Sequence, residues 1–128
     1  GDNIAPGLVL IAPGDKHLRL VRNGEHFQVE CKAGERVSGH CPSVDVMFES
    51  VEKVAGKRTV AAILTGMGKD GADGLLAIRK AGGHTIGQDE KSCVVYGMPK
   101  VAYDIGAVEY QLPLNAIANK IYSVLSGM

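Results

Sequence analysis

Asp70 is the residue around which chemistry in this chain can be organised. It lies in Thr59-Val-Ala-Ala-Ile-Leu-Thr65-Gly-Met-Gly-Lys-Asp70-Gly-Ala-Asp-Gly74, where an apolar run enters a glycine-rich turn. Val60 to Thr65 carry no charge and read as a central parallel strand, and Leu75 and Ile78 follow at helical spacing in a helix expected over 71–81. Strand ends of this kind gather function in open α/β sheets. A carboxylate at a helix start is favoured by the dipole and by backbone amides, and it can hold a histidine in its useful tautomer. It then needs a histidine and a nucleophile. Ser43, Ser92, Cys93, Thr65 and four histidines are available, but no G-x-S-x-G elbow is present. His40 and Ser43 share one short segment, where a loop base and a helix cap are the simpler roles.

The same turn offers a second chemistry. Gly66-Met-Gly68-Lys-Asp-Gly71 satisfies G-x-G-x-x-G after a strand and before a helix, and Asp89 falls near the place of a ribose-binding acid. The objection is electrostatic. Asp70 would sit among the amides that must face a pyrophosphate and would repel it.

The other candidates have plainer roles. Asp73 reads as an exposed first-turn acid rather than a partner acid for Asp70. Cys93, beside Val94 and Val95, reads as a buried small hydrophobe, and so does Cys31 on the Phe27 and Val29 face. His84 reads as a strand-end side chain, and His17 as the partner of Glu30 on a hairpin face. No cluster has metal-ligand spacing, so neither metal nor cofactor is expected.

These residues need elements to place them. Leu8 to Ala12 reads as a short strand closed by Pro13-Gly14, and Asn23-Gly24 as a type I′ hairpin turn pairing Leu20 with Phe27 and Leu18 with Val29. Ser43 can cap a helix with Val44, Met47, Phe48, Val51, Val54 and Ala55 on its apolar stripe, ended by Gly56. After the 71–81 helix come a strand near 85–87 and a short helix opened by Gly97-Met98-Pro99, a turn that could border a groove. Ala107 to Leu112 reads as the last strand. Pro113 then starts a helix striped by Leu114, Ile117, Ala118, Ile121, Val124 and Leu125. The expected fold is α/β: a mostly parallel, doubly wound sheet with an inserted β-hairpin, without an internal domain boundary.

Bulk composition narrows the partners. The 128 residues are 45% apolar and 22% charged, enough for one core. Fourteen basic side chains balance fourteen acidic ones, so neither a nucleic acid nor a membrane surface is an expected partner, and no insertion into a membrane is expected. Three cysteines without paired spacing fit free thiols in a cytoplasmic protein. The start at Gly1-Asp2-Asn3 carries no signal peptide and reads as a processing boundary.

Four motifs in order give a more specific reading. Ile11-Ala-Pro-Gly14, Pro42-Ser-Val-Asp-Val-Met-Phe48, Leu64-Thr-Gly-Met-Gly-Lys-Asp-Gly-Ala-Asp-Gly74 and Ser92-Cys-Val-Val-Tyr-Gly-Met-Pro-Lys100 together resemble the chemotaxis protein-glutamate methylesterase family, CheB. The resemblance runs from the first strand to the last helix. It implies a serine esterase that demethylates glutamyl esters on methyl-accepting chemoreceptors and deamidates certain glutamines. It makes Asp70 the acid of a Ser-His-Asp triad, and Met67 the residue whose backbone amide helps to hold the oxyanion.

By the same resemblance, residues 1–128 are the carboxy-terminal portion of the catalytic domain, truncated at its amino-terminal strands. The family's serine and histidine and its receiver domain are expected upstream of this chain. The partners implied are chemoreceptors and the protein's own receiver domain, the location cytoplasmic. Residues 1–128 alone are expected to be inactive and, with a sheet edge uncovered, to self-associate. The rival from another class is a non-catalytic docking module for receptor or receiver.

Overall fold

The computed structural model describes residues 2–128. An amino-terminal hairpin, β1 (His17–Asn23) and β2 (His26–Lys32), is followed by α1 (Val44–Val54), a short 3-10 turn at Gly56–Arg58, and β3 (Val60–Ile63). Then come α2 (Ala72–Lys80), β4 (His84–Gln88), α3 (Met98–Asp104), β5 (Tyr110–Leu112) and α4 (Leu114–Ser126). The three later strands form a parallel sheet in the order β3-β4-β5, with Ala61 beside Thr85 and Gly87 beside Gln111. The fold is therefore α/β with a separate hairpin.

Successive crossovers add strands in one direction, so β4 is central. Thr85 and Ile86 are fully buried there, whereas β3 pairs, among the described residues, only with β4. The Val60–Thr65 strand is thus four residues long and lies at an edge of the sheet among the described residues, not at its centre. Leu75 and Ile78, with Ala72, pack from α2 into a cluster with Ala61, Ile63, Ala102, Ala107 and Val108, and Phe48 of α1 completes it. The 3.6-residue period read in the sequence is this buried stripe.

The hairpin forms with its faces as expected and its register shifted by two. Leu20 lies opposite Val29 and Leu18 opposite Cys31, because the loop is Gly24-Glu25 rather than Asn23-Gly24. Gly24 alone carries the positive φ, +63°, that a type II′ turn asks of its first central residue. An even shift keeps every side chain on its own face. Cys31, near the end of β2, is nevertheless exposed, not the buried hydrophobe expected.

Leu8 to Ala12 is not a strand. A ladder needs a partner, and the outer edge of β2 is taken by residues 2–4, with Ile4 N–H donating to the Phe27 carbonyl and Val29 N–H to that of Asp2. Val9 and Ile11 consequently stand 85% and 89% exposed. The hairpin packs on α1, where the Ser50 hydroxyl accepts from Leu20 N–H at 2.8 Å. The last helix, α4, lies against β4 and β3 but buries only Ile117 of its stripe; Leu114 and Leu125 remain about half exposed. No helix among the described residues is long and apolar enough to cross a membrane.

Candidate active site

The glycine turn after β3 is set by backbone contacts with the loop before α3. Gln88, 1% exposed at the end of β4, accepts from Thr65 N–H through Oε1 at 2.7 Å. The Thr65 hydroxyl donates to the Val95 carbonyl and accepts from Val95 N–H, and Gly66 N–H also donates to the Val95 carbonyl. Met98 N–H donates back to the Gly66 carbonyl at 2.8 Å. The two backbones approach so closely that a Cβ on Gly97 would lie 2.6 Å from the Gly66 oxygen. Met67 is pushed outward, 76% exposed, and its N–H donates to nothing among the described residues.

Asp70, three residues on, is 2% exposed and faces the N-terminus of α1. Oδ1 accepts from the Ser43 hydroxyl at 2.8 Å and from Asp45 N–H at 3.0 Å, while Oδ2 accepts from Val44 N–H at 2.7 Å. These amides are among the four that a helix start leaves unpaired, and the positive end of the dipole suits a carboxylate. The arrangement is reciprocal: Asp45, in the first turn of α1, accepts from Gly74 N–H in the first turn of α2 at 2.8 Å. Each helix is capped by an acid from the other's neighbourhood.

Ser43 caps α1 as its position suggests, accepting from Val46 N–H at 3.3 Å. His17 does not pair with Glu30. It lies opposite Lys32, 2% exposed, with Nδ1 accepting from Ser43 N–H at 3.2 Å and Nε2 donating to the Glu35 carbonyl at 2.7 Å. The tautomer follows from the first bond, since only an unprotonated Nδ1 can accept.

A serine, a histidine and an aspartate thus gather here, but they are not wired as a catalytic triad. The Ser43 hydroxyl meets Asp70, and both His17 nitrogens are committed to backbone, so no base faces a nucleophile. His40 is exposed in a turn, and His84 Nδ1 lies 2.9 Å from Glu109. Cys93 is half-buried, with Val94 beside it 90% exposed, so the apolar shelter expected from its neighbours is incomplete. Partial burial still pushes its thiol up, opposed by a hydrogen bond with Thr65 and reinforced by Asp89 and Glu90. That is the reverse of an activated thiolate.

The dinucleotide alternative meets a filled site. Among the N-terminal amides of α2, Gly74 N–H is bound to Asp45 and Ala72 N–H to the Lys69 carbonyl, and a carboxylate already stands at that helix end. Asp73 is exposed in the first turn, as expected. Among the described residues no group of three His, Cys, Asp or Glu side chains could hold a metal ion.

Two contributors escaped the sequence reading. Gln88 reads as an ordinary polar end to a strand, and its only signal is its place between a buried strand and the turn that carries Ser92. The mutual capping by Asp45 and Asp70 joins positions 25 residues apart, and its trace was two helix starts that each carry an acid.

The CheB methylesterase family profile matches residues 1–121. A "Protein-glutamate methylesterase/protein-glutamine glutaminase 2" from Syntrophomonas wolfei is 60% identical over 127 residues, covering 99% of this chain and 37% of that protein. A protein of the same description from Pseudomonas aeruginosa is 56% identical over 118 residues, covering 92% and 34%. The crystal structure of the Thermotoga maritima CheB methylesterase catalytic domain superposes with a TM-score of 0.93 at 35% identity, covering 97% of this chain and 66% of that one. The chain spans little more than a third of the length of these curated relatives, with 37% of the first covered. With a profile match over nearly its whole length and relatives at this identity, the chain belongs to the CheB methylesterase family.

Proposed function

We propose that this chain is the acid-bearing portion of a serine esterase that hydrolyses glutamate methyl esters on chemoreceptors and deamidates receptor glutamines, with Asp70 as the orienting acid of its Ser-His-Asp triad. The observation that carries the reading is the Asp70 carboxylate, buried where a strand passes through a turn into a helix and held by three donors. A carboxylate offers roughly four acceptor sites. One remains, on Oδ2, and an imidazole N–H is the donor it suits. The names of the relatives supply the reaction, hydrolysis of a glutamate methyl ester or of a glutamine amide; a serine nucleophile would carry it through an acyl intermediate.

In this reading the nucleophilic serine and the histidine lie outside residues 1–128, because Ser43 and His17 are engaged elsewhere. The serine attacks the ester carbonyl while the histidine takes its proton and later delivers it to the departing methanol. Asp70 holds the imidazole tautomer and stabilises the imidazolium. The unengaged Met67 N–H, held out on a turn braced from both sides, donates to the oxyanion. Chemoreceptors are the substrate partners, and a receiver domain of the same protein in the cytoplasm is the regulatory one.

Methanol release from methylated receptor tests the proposal, with residues 1–128 assayed alone and after mixing with a separately produced amino-terminal piece of the catalytic domain. Activity only in the mixture, lost with Asp70→Asn, is the expected result. Asp70-independent release would overturn it, and association of the pieces without release would favour a docking module.

A further inference from the structure

We infer that Ser43, braced by His17, is a positioning residue for Asp70, an inference that rests on the triad role proposed above. A helix cap needs only an acceptor, and the Ser43 oxygen supplies one to Val46 N–H through a long 3.3 Å contact. Its proton is not needed for that task. It goes to Asp70 Oδ1 at 2.8 Å, the shorter of the two bonds. With Asp45 N–H on the same oxygen, Oδ1 is saturated, and the remaining acceptor site must be on Oδ2. The hydroxyl therefore decides which oxygen, and which direction, is left to an imidazole.

The brace runs further back. Ser43 is 2% exposed, and its own N–H is held by His17 Nδ1, whose other nitrogen is anchored on the Glu35 carbonyl. Side chain and backbone of Ser43 are thus both fixed, from Asp70 on one side and from the base of the hairpin on the other. An aspartate at position 43 would cap α1 equally well but would set a second carboxylate against Asp70 with no proton to share. The requirement is for a donor, beyond what capping asks.

Substitution in the complete enzyme that carries these residues separates the two roles. Ser43→Gly removes the hydroxyl at little cost to the cap, since glycine is tolerated at helix N-caps. Ser43→Thr keeps it at the cost of one added methyl group, at a residue that borders an open pocket of about 100 Å³ lined also by Ala12, Leu18, Pro42, Val44 and Met47. For Ser43→Gly kcat should fall about ten-fold with KM changed by less than about two-fold, the mark of an interaction that matters in the transition state. Ser43→Thr should recover kcat to within about three-fold. Ile78→Val, a core change remote from the turn, should lower Tm without touching kcat. A wild-type kcat in Ser43→Gly, a folded Ser43→Thr as slow as Ser43→Gly, or an equal loss in Ile78→Val overturns the inference. Asp70→Asn in the same assay separates the failures: if it too keeps its kcat, the triad reading falls, and if it alone is dead, only the role of Ser43 falls.

Discussion

Gly74→Ala sets two effects of opposite sign against each other at one atom. Position 74 lies in the first turn of α2, where alanine is the better helix former by up to about 1 kcal/mol. Against that, the new Cβ would stand 2.6 Å from Phe48 Cβ and 3.1 Å from Asp45 Oδ1, with the Asp45 carbonyl at 3.3 Å. Phe48 Cβ and the Asp45 carbonyl cannot swing aside, and Asp45 Oδ1 is pinned by its bond to Gly74 N–H, so α1 and α2 must part. Overpacking of this kind costs about 1–3 kcal/mol. Stretching the Gly74 N–H bond to the Asp45 carboxylate, 2.8 Å in the native fold, forfeits a charged hydrogen bond. Such bonds contribute about 1.5–3 kcal/mol. The net is a destabilisation of about 2–4 kcal/mol, or a fall in Tm of about 8–15 °C for a chain of this size. Thermal unfolding of the variant followed by far-ultraviolet circular dichroism reads it directly. An unchanged or raised Tm would mean that helix propensity wins and that the two helix starts separate freely, which would also remove the basis for treating the Asp45 and Asp70 contacts as a rigid unit.

Thiol labelling should resolve the cysteines. Cys31 is exposed and should react first with a small alkylating reagent, whereas the raised Cys93 thiol has less thiolate at any given pH and should need more alkaline conditions. Equal rates near neutrality, read by peptide mass spectrometry, would contradict that. NAD or ATP added to the folded chain should leave Tm unchanged, since the Ala72 and Gly74 amides at the start of α2 are already engaged, and a rise of several degrees would revive a nucleotide site. Light scattering of residues 1–128 should show self-association as concentration rises, driven by the open edge of β3 and by Val9, Ile11 and Val94; a strict monomer at high concentration would refute it.

What could be read from the sequence was whatever repeats with a local period. Phe48 of α1 and the Leu75 and Ile78 pair of α2 became core, with Val44, Met47 and Val51 packed against it, because a 3.6-residue period leaves them no other face. The hairpin alternation likewise survived a turn displaced by one residue. Pairing did not follow from pattern. Leu8 to Ala12 has the composition of a strand but no neighbour, and the stripe of α4 covers little beyond Ile117. At the site, Asp70 could be picked out from its turn, yet its three donors could not, because they come from a helix start 25 to 27 residues earlier that only the tertiary fold brings near. His17 was misassigned for the same reason: its partners are backbone groups, which carry no residue signature.

The crossed caps also bear on the order in which the chain acquires structure. A cap drawn from its own helix can form as soon as that helix does, but the acid that satisfies Val44 and Asp45 arrives with the start of α2, and the acid that satisfies Gly74 arrives with the start of α1. Neither helix start is complete until both are docked. The two helices should therefore form one cooperative unit that opens and closes together, and the amides of Val44, Asp45 and Gly74 should show a common opening free energy in hydrogen exchange although 30 residues of sequence separate the outermost pair.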